Sequence, residues 1–189
     1  MRGYFGIGAE GISKEMNVGN LFRTAHAFDA SFVFTLGANY SRRIGGRADT
    51  SDALGHMPFY EFPDMDSMSL PKGCKVVGIE LLDESIELPS FHHPAQAAYI
   101  LGPERGELSP GLIEKCDHVL KIPTKFCVNV GIAGAIVMYD RILSMGRFAP
   151  RPTRPGGPDT PHVRARHGGP KFRTEAEKFR ARPPLNYND

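Results

Sequence analysis

Short apolar stretches, each handed over to a longer stretch with helical spacing, restrict this chain to a narrow set of folds. Tyr4 to Ala9 reads as a strand in which Phe5 and Ile7 alternate against glycine. Glu15 to Phe28 then sets Val18, Leu21, Phe22, Ala25 and Phe28 at the three-to-four spacing of an amphipathic helix. Ser31 to Leu36 returns to a strand. An opening strand, helix and strand in this order predicts the start of a parallel sheet.

The alternation continues. Residues 37–58 read as a loop carrying Arg42, Arg43 and Arg47 among glycines. Such a loop is either a phosphate contact or a solvated surface. Phe59 to Phe62 is a short strand and Met65 to Leu70 a short helical turn. Lys75 to Leu81 and Ala97 to Leu101 read as buried strands, separated by a loop over 82–96 with Pro89 and Pro94. Ser109 is placed to cap a helix running through Lys115, with Pro110 at its favoured first position. His118 to Ile122 is a further strand. Val130 to Phe148 is a last helix, apolar on most sides and so largely buried. The expected architecture is one α/β domain, residues 1–149, with a parallel sheet flanked by helices.

Beyond that domain the composition changes. Residues 150–189 hold nine Lys or Arg against four Asp or Glu, a net +5, in a stretch rich in Pro, Gly and Arg. Residues 1–149 hold fourteen against seventeen, a net −3. The tail has too little apolar surface to fold alone. It reads either as a basic arm for phosphates or as a solubilising extension. No apolar run approaches the roughly 20 residues of a membrane span, and the N-terminus lacks the apolar core of a signal peptide. Cys74, Cys116 and Cys127 show no C-x-x-C spacing, so reduced thiols in a cytoplasmic protein without a metal site are expected.

Polar residues cluster where strands hand over to helices. The first cluster is N-V-G-N-L-F-R, Asn17 to Arg23, and the second is L-G-P-E-R-G-E-L-S, Leu101 to Ser109. The third is I-P-T-K-F-C-V-N-V-G-I-A-G, Ile122 to Gly134, in which Asn129 stands alone among apolar neighbours. Asn129 is either a helix N-cap or a site residue. In an open α/β sheet, ligands bind beyond the carboxyl ends of the strands, where these clusters fall. No G-x-x-x-x-G-K-[ST] is present, nor a G-x-G-x-x-G with its acidic partner. That argues against an ATPase or a simple NAD dehydrogenase.

Taken together, N-x-G-x-x-x-R, then L-G-P-E-x-G-E-L-S, then I-P-x-x-x-x-x-N-V, resemble the SpoU (TrmH) family of SPOUT RNA 2′-O-ribose methyltransferases over roughly residues 3–148. The resemblance implies a C-terminal trefoil knot, a homodimer and S-adenosyl-L-methionine as methyl donor. It implies methylation of a ribose 2′-hydroxyl of RNA, with tRNA favoured over ribosomal RNA because the domain is compact and single. Asn17, Arg23, Glu104 and Asn129 match the family's catalytic-site positions. Glu80, Leu81, Leu101, Gly102, Ile122, Cys127 and Val130 match its cofactor-binding positions. Cys127 departs from the serine that many relatives carry there, and a thiol is a weaker donor than a hydroxyl. Arg42, Arg43 and Arg47 are the RNA-binding candidates.

Methyl transfer to a hydroxyl needs alignment first and help with a proton second. A guanidinium is always protonated in proteins, so Arg23 suits phosphate binding and alkoxide stabilisation better than proton removal. A surface ion pair with Glu15 or Asp29 is the alternative reading. Two other classes stay open at this stage: a non-catalytic RNA-binding relative and an unrelated small-molecule α/β enzyme.

Overall fold

The computed structural model describes residues 3–39, 53–146 and 148–158, with the side chains of residues 53 and 54 left aside. Seven strands, all parallel, form one sheet in the order β3-β2-β1-β6-β4-β7-β5. The strands are β1 (Tyr4–Glu10), β2 (Phe32–Leu36), β3 (Phe59–Phe62), β4 (Lys75–Ile79), β5 (Ile86–Glu87), β6 (Gln96–Leu101) and β7 (His118–Lys121). The helices are α1 (Glu15–Ala27), α2 (Ala53–His56), α3 (Pro110–Lys115) and α4 (Val130–Met145).

Side chains alternate across the sheet, as the pleat requires. Ile7, Val33, Val77, Tyr99 and Leu101 pack against Leu21 and Phe22 of α1 and Val137 and Met138 of α4. Phe32, Phe34, Ala98 and Ile100 face the other way, toward Leu112 of α3 and the segment containing Met65 and Met68. The two glycines of β1 make that second face possible. A Cβ on Gly6 would lie 2.3 Å from the Phe32 ring, and one on Gly8 would lie 2.6 Å from the Phe34 ring. The rings therefore lie across β1. Full burial of a Phe contributes roughly 1.5–3 kcal/mol. On the first face, Gly134 lets α4 approach α1, since a Cβ there would sit 2.4 Å from Leu21 Cδ1.

α1 ends where Asp29 adopts φ 62, and the N–H groups of Asp29 and Ala30 bond to the carbonyls of His26 and Ala25. This closes the helix in a Schellman turn without a glycine.

Four expected elements differ. The expected loop over 37–58 contains α2 at Ala53–His56. Met65 to Leu70 forms no helix: Asp64 Oδ1 accepts the Ser67 N–H at 2.8 Å and a turn over 65–67 results. An Asp side chain that bonds the backbone favours a turn over a helix. The loop over 82–96 contains β5 and a 3₁₀ turn at Leu88–Ser90. A two-residue strand is too short to show a period. α4 stops at Met145 rather than Phe148, where Gly146 is its C-cap.

At the amino ends of the strands, α4 is pinned to the sheet by a buried polar chain. Arg141 donates to the Tyr99 hydroxyl at 2.9 Å and to the Pro94 and Ala95 carbonyls at 2.7 and 3.0 Å. The Tyr99 hydroxyl is 2.6 Å from His93 Nδ1, and His93 Nε2 is 2.9 Å from Asp140 Oδ2. Because the Asp140 carboxylate accepts at Nε2, the neutral ring has no proton left for Nδ1, and the tyrosine proton points to Nδ1. His93 is thus the neutral Nε2–H tautomer, donating to Asp140.

By contacts the chain divides after Gly146. Residues 148–158 of the second unit are bent, extended and mostly exposed. Residues 159–189, the greater part of the basic tail, lie outside the described residues.

Candidate active site

A cavity of about 360 Å³ opens at the carboxyl ends of β4, β6 and β7. Its apolar wall comes from Ile79, Leu101 and Val130, which end or begin elements packed in the core. Its polar side comes from the loops that follow the strands. Glu80, Leu81, Leu101, Gly102, Ile122, Cys127 and Val130 all line it, as do Asn17, Glu104 and Asn129. Ten residues spread over more than 110 positions of sequence thus share one concavity.

The polar residues form a chain whose direction is fixed. Asn129 is the N-cap of α4, and its Oδ1 accepts the Gly131 N–H at 2.9 Å. A backbone N–H can only donate, so the Asn129 amide nitrogen must face outward. It donates to Asn17 Oδ1 at 3.0 Å. Asn17 Nδ2 then donates to Glu104 Oε1 at 3.0 Å. Cap and site residue were alternatives for Asn129; its Oδ1 makes the cap, and its Nδ2 bonds Asn17 at the wall of the cavity.

Glu104 ends this chain with four donors. The Ser13 and Lys14 N–H groups reach it at 3.0 and 2.9 Å, and the Ser13 hydroxyl at 3.1 Å. Lys14 is the N-cap position of α1 and offers no side-chain cap. A carboxylate from a distant loop does that work instead, with its charge near the positive end of the helix. Burial alone would push Glu104 up. The hydrogen bonds from Ser13, Asn17 and Lys14 outweigh it and hold the carboxyl below its ordinary value. A carboxylate so occupied does not accept a substrate proton; it holds Asn17.

Glu80 is equally committed. Its Oε1 accepts the Leu81 N–H at 2.9 Å and its Oε2 the Leu108 N–H at 2.8 Å. Gly102 lies beside it: a Cβ there would sit 3.2 Å from Glu80 Oε2 and 3.4 Å from the Leu108 nitrogen. Any larger residue would press on this bond or on the cavity. Opposite, the 122–129 loop is tightened by Thr124, whose N–H bonds the Ile122 carbonyl at 2.7 Å and whose hydroxyl bonds the Phe126 carbonyl at 3.0 Å. Cys127 is exposed and lines the cavity.

Arg23 is not brought into this cavity. It lies on the exposed side of α1, whereas Asn17 is buried. Six residues of helix turn a side chain by about 240°, so the two cannot share a face. Glu15 and Asp29, the alternative ion-pair partners of Arg23, are not at the three- or four-residue spacing at which helix side chains meet. Arg42, Arg43 and Arg47 lie outside the described residues. Lys14, Pro103, Gly106 and Thr124 also line the cavity and were not singled out from the sequence, although Pro103, Gly106 and Thr124 lie within the second and third polar clusters.

The SpoU rRNA Methylase family matches residues 5–139. The chain belongs to this family. The tRNA (guanosine(18)-2′-O)-methyltransferase TARBP1 of Mus musculus is 25% identical over 139 residues, which are 68% of this chain and 9% of that protein. The chain thus spans about a tenth of the length of that curated relative. Among solved structures of the SpoU fold, an AdoMet-bound rRNA methyltransferase from Sinorhizobium meliloti superposes with a TM-score of 0.67 at 18% identity. That match covers 76% of this chain and 57% of the other. The TrmH/SpoU tRNA modifying enzyme of A. aeolicus superposes with a TM-score of 0.61 at 17% identity, covering 74% of each chain. The parallel sheet with its flanking helices is therefore that of a SpoU-family α/β domain.

Proposed function

We propose that this chain methylates a ribose 2′-hydroxyl of RNA, with tRNA favoured over ribosomal RNA and S-adenosyl-L-methionine as donor. The observation that carries this reading is the fixed chain Asn129–Asn17–Glu104 at the rim of a nucleoside-sized cavity. The cavity is within the range of small-molecule sites and mixes apolar walls with a few placed polar groups. The adenosine part suits Ile79, Leu101 and Val130, and the backbone beside Gly102 admits close approach. Glu80, Leu81, Ile122 and Cys127 complete the holding surface. The donor, when bound, supplies an electrophilic methyl group on a sulfonium.

The chain's own groups then have distinct tasks. Asn17 and Asn129 orient the ribose edge, Glu104 fixes Asn17, and Arg23 binds a phosphate and steadies negative charge on the 2′-oxygen. Since Arg23 faces away from the cavity of its own chain, the reading includes a homodimer in which it serves the partner's cavity. Support comes from an apolar stripe on α4: Ile132 is 55% exposed, Tyr139 53% and Leu143 36%, and Met16 on neighbouring α1 is 69% exposed. Residues 132, 136, 139 and 143 fall on one helical face. The reading also includes the trefoil knot, supported by β7 lying between the consecutive strands β4 and β5. It includes action in the cytoplasm, with the 42–47 arginines and the basic tail as RNA contacts.

The mouse relative, which its name places on tRNA, supports that substrate. The test is mass spectrometry of nucleosides from purified tRNA and ribosomal RNA of cells with and without the protein. Loss of one 2′-O-methylnucleoside from tRNA is expected. Unchanged nucleosides in both pools would overturn the reading.

A further inference from the structure

Beside the motif residues, a row of three positions crosses the carboxyl edge of the sheet. Ala9 and Ile79 both pair in register with Leu101. The next residue of each strand, Glu10, Gly102 and Glu80, therefore falls side by side on the face that carries Phe34 and Ile100. Strand spacing sets the two glutamates roughly 10 Å apart with only a glycine between them. Like charges so placed in a half-buried site need donors.

The loop after β6 supplies them. It turns back over its own row and gives one backbone N–H to each glutamate. Leu108 donates to Glu80 at 2.8 Å and Ser109 donates to Glu10 at 2.8 Å. The Ser109 hydroxyl adds a bond to Glu10 at 2.5 Å. Ser109 stands at the N-cap position of α3, yet its side chain makes no cap bond. A serine there ordinarily bonds its own helix; here it bonds the end of β1.

The β1–α1 and β6–α3 connections are thus tied by carboxylates in both directions. Glu104, from the loop after β6, holds Ser13, Lys14 and Asn17 at the start of α1. Glu10, the last residue of β1, holds Ser109. Glu10 does not line the cavity.

We propose that Glu10 is a positioning residue for the transfer site: by holding Ser109 it fixes the 102–109 loop, and through Glu104 it fixes the Asn17 amide. The inference rests on the methyltransferase reading for its kinetic part only. Its structural part stands on the unliganded chain.

The experiment uses the full chain and compares Glu10→Ala, Ser109→Ala and the double variant. NMR follows the Leu108 and Ser109 amide exchange and the Asn17 side-chain amide signals without ligand. Glu10→Ala is expected to speed exchange at both amides, to move the Asn17 signals, and to lower kcat about tenfold or more with KM for RNA nearly unchanged, the size of one lost charge-assisted bond. The double variant should be no worse than Glu10→Ala, since both changes break one link. Glu10→Gln, which keeps an acceptor oxygen for Ser109, should restore most of the rate. Unmoved Asn17 signals, additive losses, or Glu10→Gln as impaired as Glu10→Ala would overturn the proposal. If wild-type protein methylates no RNA, the functional reading fails, while the exchange and Asn17 signals still decide the role of Glu10.

Discussion

Asn129 Nδ2 lies 3.0 Å from Asn17 Oδ1, a bond between residues 112 positions apart. It joins the start of α4 to the start of α1, and its polarity is set at one end by the Gly131 N–H and at the other by Glu104. Replacing Asn17 by Asp puts a second carboxylate where an amide donates to Glu104. Two adjacent carboxylates cannot both ionise at low cost. Asn17→Asp is therefore expected to lower the melting temperature and cut turnover by about 100-fold or more, with Asn17→Ala milder in stability. Thermal unfolding at pH 7 and single-turnover kinetics check this. An Asn17→Asp protein as stable as wild type would refute the assigned polarity.

Gly102→Val tests the cofactor wall. The new side chain meets Glu80 Oε2 and the Leu108 nitrogen, both within 3.4 Å of its Cβ. Binding of S-adenosyl-L-methionine, measured by calorimetry, is expected to vanish while circular dichroism keeps the wild-type spectrum. Wild-type affinity in the folded variant counts against the proposed seat of the donor.

Arg23 is exposed on α1, so its removal should leave folding and donor binding nearly intact. Arg23→Ala is expected to reduce turnover by about 100-fold or more, in the range for a charge-stabilising group. Arg23→Lys should also fail, because a point charge does not reproduce a planar fork. Full activity in the lysine variant argues against a bidentate phosphate contact.

His93 gives a pH dependence of stability. Burial holds its pKa below the ordinary value of 6.5, against the opposing pull of Asp140 and with help from Arg141 and His92. Tyr99, the remaining partner of the ring, has its hydroxyl pushed up to about 12 by burial and stays neutral. In the range between the folded and unfolded pKa of His93, the unfolded chain binds the extra proton. The stability from neutral His93 is therefore complete above about pH 6.5 and declines as pH falls toward the folded pKa. His93→Asn should flatten the fall in melting temperature between pH 7 and pH 5. An unchanged slope would assign that acid sensitivity to other groups.

Ile132→Glu places a charge on the exposed apolar face of α4. Light scattering at micromolar concentration is expected to show wild type as a dimer and the variant as a monomer that still binds the donor. Deleting residues 150–189 is a separate change. It should weaken RNA binding and flatten its salt dependence, since fewer phosphates are neutralised. A monomeric wild type ends the dimer reading, and an unaltered salt slope ends the role of the tail.

The sequence by itself determined the alternation of strands and helices, because side-chain period is a local property: Phe5 and Ile7, or Leu21 and Ala25, declare their faces to any reader. It also brought out Asn129, a polar residue between apolar neighbours at a strand-to-helix junction, while Asn17 and Glu104 came from the motifs that resemble the family. It was silent on β5, since Ile86 and Glu87 are a strand only because β7 lies alongside. Ser109 is a cap by every local rule, yet its hydroxyl belongs to Glu10, 99 positions away. Only the tertiary structure decided that Glu10 and Glu80 flank Gly102 in one row. Such facts depend on which strands become neighbours, and strand order is set by the packing of the whole chain, not by any window of it.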